Sequence, residues 1–595
     1  ITLSDSDIAM NTILKSISYP DSTGGSDVVS YTYNRQQESV TITDQRNCIH
    51  TFEYDKLGRL IHDRVTTTGT GVDDAVLRRS ISYDVRGLPQ VLTTYDNATV
   101  AQGNIVNEIE NVFNNFGQLI ESRQSHSGQV TGLSPKVVIS YADGSNNTIR
   151  QTGIKYPNGR ELTYSYGLSG SMADALSRAI KLIDDDLTTL IEYDYLGLGT
   201  FVVADDKEPD IKWTLVDLSS VNDVDTGDIY SGLDRFGRIK DCRWYDSGSS
   251  ADVVRIKYGH DRSSNLLWQE DIVAQTYNQN YDELFSYDGL NRLQAMRRGL
   301  LNNNKSSMTT QDYDQCWGMD STENWVTMKQ ANGGSTWTLE QNRITNKVNE
   351  ITNISNTVGV AWTNPVFDLT GNMKTIPQSA DPGKSYTATW DAWDHLVKLV
   401  DDDTDNPIGE YEYDALGRRI VKQLFSSGVI DKTCHIYLSP TWQTVEERVD
   451  ASSAPERQLV WGLQYIDDLV LRDRDTIGNG TLDERIYASY DANWNIVGLS
   501  NTNGSIIQRF AYEPYGKSNT LSTNFTVVSD SYEWRYRFTS REGDSESSLI
   551  YFRERYYHNQ LGQFINRDPI EYQDGNNLYA AYFVPNKTDP FGESS

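Results

Sequence analysis

Four cysteines, seven histidines and a dense set of acidic side chains are the groups in this sequence that could carry chemistry. Cys48, Cys242, Cys316 and Cys434 stand far apart without a Cys-x-x-Cys pair, which argues against a zinc ribbon or thioredoxin-type site. They read as mostly buried free thiols that pack as small hydrophobes. No His-Glu-x-x-His segment occurs, and the stretch nearest a Gly-x-Ser-x-Gly elbow, Gly167-Leu-Ser-Gly-Ser171, ends in Ser. Asp473–Glu484 follows the calcium-loop template in part, but Ile477 fills a ligand position and the flanks look like strands. It reads as a polar, Gly-rich loop, and so does the weaker copy at Asn222–Asp228. The acidic runs Asp184-Asp-Asp186 and Asp401-Asp-Asp-Thr-Asp405 read as solvated loop faces. Trp390, Trp393 and Trp461 lie in strand text, where packing is a better account than glycan binding. No cofactor, metal or nucleophile motif emerges, so no metabolic turnover is expected.

Composition narrows the partners. The 595 residues hold 83 acidic and 53 basic side chains, a net charge of −30, which argues against a nucleic-acid groove or an anionic membrane surface. Hydrophobic residues make up 37%, and mean hydropathy is −0.57, as expected when much of a sheet faces water. No run approaches ~18 apolar residues, and no signal-type hydrophobic segment appears. The first residue is Ile1, which suggests a processed product or an excised piece.

What must position any site is a repeat. Tyr54-Asp-Lys-Leu-Gly-Arg59 returns as Tyr83-Asp-Val-Arg-Gly-Leu88, Phe113-Asn-Asn-Phe-Gly-Gln118, Tyr193-Asp-Tyr-Leu-Gly197 and Leu233-Asp-Arg-Phe-Gly-Arg238. It continues through Tyr287–Arg292, Phe367–Asn372, Trp390–His395 and Tyr413–Arg418. Such spacing, within roughly 20–50 residues, signals a solenoid, propeller or array. The aromatic ends a strand, Asp bonds forward into a tight turn, and Gly supplies a positive φ. Leu or Phe is expected to fold back onto the core, and Arg or Gln opens the returning strand. The flanks, such as Val40-Thr-Ile-Thr43, Leu92–Tyr95 and Arg419–Lys422, are β-branched and partly alternating. Each repeat is therefore a β-hairpin, stable only when stacked, and the 36 tyrosines should form aromatic ladders. One short helix is expected within Ser169–Ile183.

From about Ile436 the text changes. It carries Trp461–Val470, Tyr490-Asp-Ala-Asn-Trp-Asn-Ile-Val-Gly498, Tyr512-Glu-Pro-Tyr-Gly516, Ile550-Tyr-Phe-Arg-Glu-Arg-Tyr-Tyr557, Leu561–Ile570 and Asp589-Pro-Phe-Gly592. In order and spacing this resembles the core of the RHS/YD-repeat family, which includes bacterial RHS toxins, toxin-complex components and teneurins. The upstream hexapeptides look like its YD repeats. The resemblance implies an all-β fold: a long antiparallel sheet of hairpins spiralling into a hollow barrel or cocoon, plugged at one end by the core. The expected organisation is a repeat wall over 1–435, pre-core strands over 436–530 and a plug over 531–595.

The resemblance also implies a candidate site. Toxin members of the family cut themselves with an aspartic pair, and the matching residues here are Asp568 and Asp589, with Arg567 beside them. One carboxylate would activate water and the other would hold the carbonyl, a division that requires their proximity to separate their ionisation. Glu571 and Glu593 depart from the family pattern, and the implied cut falls after Glu593. The alternative is that both Asp-Pro pairs simply form turns that seat the plug. Three functions follow as expectations. One is a secreted or surface-exposed structural shell, a building block that self-associates into a fibre or appendage. Another is a toxin-encapsulating shell around an enclosed polypeptide. The third is a teneurin-like adhesion module. None calls for a cofactor or nucleic acid or for a membrane-spanning segment in this sequence, though the adhesion reading would need membrane-anchoring and receptor-binding domains attached to it.

Overall fold

The computed structural model describes residues 13–22, 27–142, 149–217, 222–223, 226–334, 336–573 and 575–593. Val224 and Asp225 of the second acidic loop, and Ser594 after the implied cut, lie outside the described residues.

The repeat forms hairpins for reasons visible at its first copy. Asp55 Oδ1 accepts from the backbone N–H of Leu57 (2.8 Å) and of Arg59 (3.1 Å), so one carboxylate folds the turn. Gly58 sits at φ +78°, where a Cβ is strained. The ladder register slips at Glu53/Tyr54, and at the matching aromatics Tyr83, Phe113, Tyr287 and Tyr413, so each repeat carries a bulge just before its turn. The Arg59 Nε donates back to Asp55 Oδ2 at 2.7 Å.

Neighbouring hairpins are then joined by the tyrosine. Tyr83 donates its hydroxyl to Leu60 O (2.8 Å), Tyr287 to Leu266 O (2.8 Å) and Tyr413 to Leu396 O (2.8 Å). Arg59 lies over the Tyr83 ring at 4.3 Å. The expected aromatic ladder is thus a stitching of tyrosine onto carbonyl and arginine, because the ring of one repeat reaches the returning strand of the repeat before it. A second expectation is corrected too. Leu57, Phe116 and Phe236 project into solvent at 79%, 72% and 69% exposure rather than folding onto the core. Their place at the apex of the turn points them off the sheet edge, out of reach of either face.

Among the described residues, consecutive antiparallel strands make a 25-stranded sheet, from Ser16–Ser18 to Ile351–Val358. A 14-stranded sheet follows, from Val366–Phe367 to Ser518–Leu521. Among the described residues, helix is confined to short turns. The expected one is Met172–Ala175, capped by Ser171 Oγ, so the residue that stands in place of the elbow's last Gly is a helix cap. Ile272–Thr276 was not foreseen.

The second sheet returns beside the first in the same order, which is the signature of a spiral. Arg46 meets Asp368 across 322 residues, Asn107 meets Tyr413 across 306, and Tyr156 meets Leu459 across 303. Further on, Trp244 meets Tyr490 across 246 residues and Gln315 meets Glu513 across 198. The length of chain between facing residues thus shortens along the wall. The accessible surface of 25631 Å² exceeds the ~21,000 Å² expected for a compact monomer of this mass, as a wall with an inner surface requires.

The plug packs against both laps. Its strands Glu542–Gly543, Ile550–Phe552, Arg555–His558 and Gln563–Phe564 form a small sheet around Phe538, Phe552, Tyr557, Phe564 and Phe583. Buried ion pairs tie it to the second lap. Asp544 binds Arg419 at 2.6 Å and Lys422 at 2.7 Å, and Glu542 binds Arg419 at 2.9 Å. The first lap contributes Arg343, whose Nη1 donates to Leu561 O at 2.7 Å.

Candidate functional site

Asp568 and Asp589 are far apart in sequence, yet the plug brings both to one buried arginine. Arg555, in the strand Arg555–His558, places Nη2 2.8 Å from Asp568 Oδ2 and 3.9 Å from Asp589 Oδ2. Its Nη1 donates to Leu578 O (3.1 Å), its Nε donates to Gly592 O, and its plane covers the Phe564 ring at 3.7 Å. Burial pushes the guanidinium below its ordinary range, while the two carboxylates oppose that shift. A shared cation lets two carboxylates occupy one dry place without facing each other uncompensated.

The surrounding turns hold the segment that enters this cluster. Asp568 Oδ1 accepts from Ile570 N–H at 3.0 Å. Asp589 Oδ1 accepts from Gly592 N–H at 2.7 Å and from Glu593 N–H at 3.2 Å. Arg553 donates to Pro590 O and is itself fixed by Asp467 at 2.6 Å, which also binds Arg541 at 2.8 Å. Residues 589–593 are therefore gripped from both sides by arginines of the plug.

Arg567 is placed differently. Its Nη2 lies 2.9 Å from Glu350 and 3.8 Å from Asp27, and its guanidinium covers the Tyr19 ring at 4.3 Å. It joins the plug to the first lap, and Arg555 is the arginine that joins the two carboxylates. The sequence signal for Arg555 was present in Ile550–Tyr557, but three arginines crowd that neighbourhood and only the strand register selects one. Glu571 accepts from the Tyr19 hydroxyl at 2.7 Å through Oε1, while its buried Oε2 has no hydrogen-bond partner among the described residues.

Other sequence features resolve as packing. Cys48, Cys242 and Cys434 are buried free thiols and Cys316 is half-buried; burial pushes the Cys316 thiol up to about 11. In the calcium-like loop, Asp473 binds Arg160 (2.8 Å) and Arg485 (2.7 Å), while Glu484 binds Arg472 and Arg474. Arginines thus occupy its first and last acidic positions. Trp390 and Trp461 are buried in the wall. A cavity of about 1030 Å³ lies between the first lap, the tips of the second and the plug, bordered by Arg238, Glu283, Arg298, Asp491 and Tyr582. Burial raises Asp491 there to about 6.

With this geometry in view, the chain can be set beside known proteins. No family model matches it. It is 26% identical over 198 residues to the tRNA3(Ser)-specific nuclease WapA of Bacillus spizizenii, covering 32% of this chain and 8% of that protein. It is 24% identical over 193 residues to the tRNA nuclease WapA of Bacillus subtilis strain 168, with the same coverage. Among solved structures it overlays a Photorhabdus luminescens Tc holotoxin pore with a TM-score of 0.65 at 14% identity, over 95% of this chain and 28% of that one. The overlay on a TcdB2–TccC3 structure gives 0.64 at 15% identity, over 95% and 29%. The chain therefore shares an all-β fold with these structures and spans under a third of the length of the chains it overlays. Among the described residues, no helix is long and apolar enough to cross a membrane.

Proposed function

We propose that this chain is the closing part of an RHS-type shell that encloses a polypeptide, and that its plug cuts the chain once after Glu593. The observation that carries this reading is the convergence of Asp568, Asp589 and the backbone of 589–593 on Arg555. A peptide bond just beyond a segment held this tightly would need no diffusional search to react with the two carboxylates, which is where much of the advantage of an intramolecular reaction lies. The pair then divides the labour: one carboxylate takes a proton from the attacking water, the other enters protonated and holds the carbonyl, and the proton taken from water passes to the departing amide nitrogen as the C–N bond breaks. Turnover is single, because the product stays in place as the plug. An extracellular setting and an enclosed guest belong to this same reading, supported by the likeness to toxin-complex structures.

A second reading, a shell or extracellular building block that never cuts itself, is favoured by the turns. Asp568 and Asp589 each cap one, a sufficient structural reason for their presence. One experiment separates the two. The complete translation product of the reading frame is expressed with Asp568→Asn. A species extending past Glu593 that accumulates only in the variant supports cleavage. Identical mature lengths in variant and parent overturn it and leave the uncut shell.

A further inference from the structure

Two histidines of the first lap, His50 and His126, reach across to the second in opposite electrostatic surroundings. His50 meets Ala392 O of the second lap and keeps the Asp63 carboxylate on its other nitrogen, a partner that favours the charged ring. His126 faces another histidine. It follows the strand Leu119–Ser125, is buried, and sets Nδ1 3.3 Å from Nδ1 of His435 in the second-lap strand Val429–Leu438. The two rings stack at 5.5 Å, and His126 also lies on the Tyr437 ring at 4.5 Å. Among the described residues, its buried Nε2 has no hydrogen-bond partner. Beside the pair the seam is held by uncharged groups, for Gln124 donates to Leu438 O (2.7 Å) and accepts from Leu438 N–H (3.0 Å).

The charges around the pair oppose a proton or are already engaged. Arg418, in the turn after Tyr413, is bound by Asp414 at 2.7 Å. Arg448, in the strand Thr444–Val449, is bound by Glu446 at 2.7 Å and covers the Tyr437 ring at 5.0 Å. On the first lap, Glu108 accepts from the Thr93 hydroxyl (2.8 Å) and the Val130 N–H (3.0 Å). The acid that favours a proton on His435 is Asp450, which is exposed and accepts the Thr433 N–H at 2.9 Å. Burial, then His435, Arg418 and Arg448, hold His126 well below the ordinary imidazole range, and burial lowers His435 against the pull of Asp450.

We infer that His126 and His435 form an acid-released latch, paired while neutral and parted by protonation, so that the seam between the laps opens locally at Ser125 and Leu438. Two neutral rings fit this contact, because one Nδ1 donates to the other. Two protonated rings do not, since both Nδ1 atoms then carry hydrogens and both rings carry charge. A proton on His126 also leaves a charged N–H at Nε2 where no acceptor meets it. The size follows from linkage. In the open seam His126 titrates near 6.5, whereas the closed seam excludes its proton, so the penalty is absent above that value and grows as pH falls below it. Lowering the pH from 7 to 5 then favours opening by about 25-fold, counting His126 alone. The latch belongs to the seam and is independent of whether the plug cuts itself.

Hydrogen exchange on the whole chain at pH 7 and pH 5, corrected for the slower chemical step in acid, tests the latch. Segments 119–126 and 433–438 are expected to lose about 25-fold in protection at pH 5, while segment 49–54, which carries the acid-paired His50, keeps its own. His126→Phe retains a ring to stack on Tyr437 and removes the titration, so its seam should hold at both pH values. The two segments of the parent decide the matter even where the variant does not fold. Less than a fivefold loss at 119–126 and 433–438 in the parent overturns the inference. So does an equal loss at 49–54, or the full loss persisting in His126→Phe.

Discussion

Replacing Asp544 by Asn should detach the plug from the wall without unwinding the spiral. Asp544 is fully buried and is the common partner of Arg419 at 2.6 Å and 3.1 Å and of Lys422 at 2.7 Å. Asn matches its shape but leaves two buried cations short of a counter-charge. Glu542 and Glu546 remain, at 2.9 Å from Arg419 and 3.0 Å from Lys422, so the loss is partial for each. Breaking a buried pair typically costs about 3–5 kcal/mol, and the residual acids place the expected cost near the lower end, about 3 kcal/mol. Because a repeat wall need not unfold in one step, the assay is hydrogen exchange read separately on 542–565 and on 396–424. About 3 kcal/mol corresponds to a ~150-fold faster exchange in the plug, with the wall nearly unchanged. Adding Lys422→Met removes one orphaned cation and should restore part of the protection. The carboxyl is held down to about 2 by Arg419 and Lys422 against the opposing effect of burial. Its contribution is therefore complete above its unfolded value near 3.8 and is lost as pH falls through about 2. Less than a tenfold change in plug exchange at neutral pH, or an equal change in wall and plug, would refute the reasoning.

Two further outcomes follow from the wall. Gly371, at φ +87°, carries the left-handed penalty of roughly 1–2 kcal/mol, and a Cβ there would also lie 2.2 Å from Arg567 Nε and 2.4 Å from the Tyr579 hydroxyl. Gly371→Ala should thus lower the melting temperature more than Gly237→Ala, where φ is +78° and the space is open; equal losses in a thermal melt would contradict this. His50 bridges the seam, with Nδ1 2.8 Å from Asp63 and Nε2 2.9 Å from Ala392 O, and its bonds to Asp63 and Cys48 raise it to about 10 despite burial. A raised histidine stabilises fully below its unfolded value near 6.5 and loses that effect as pH rises through about 10. The melting-temperature gap between the parent and His50→Gln should therefore shrink between pH 7 and pH 10.5, and a constant gap would count against this pairing.

The sequence alone determined the hairpin, because its causes are local. An Asx side chain, a positive-φ residue and a flanking β-branched strand act within six residues of one another, and Asp55, Asp234 and Asp414 all fold their turns as expected. Even so, copies were missed where the turn uses another residue at positive φ. Asn349, Glu323 and Ser264 take the place of Gly, and the forward-bonding Asn346, Asp320 and Asp261 were the readable signal. The fate of the apex residue was not legible, since Leu57 and Tyr515 sit in similar turns, yet one faces solvent and the other is buried. That difference depends on what packs against the tip, and Tyr515 lies against Trp317 and Trp325. The carboxylate pair was legible only by resemblance, and its arginine not at all. Arg553, Arg555 and Arg567 look alike along the chain, and strand register sends the first to Asp467, the second to both carboxylates and the third to Glu350. Local bonding is written in neighbouring residues, whereas seams and ion-pair choice depend on how much chain one lap consumes. Only the wound structure fixes that length.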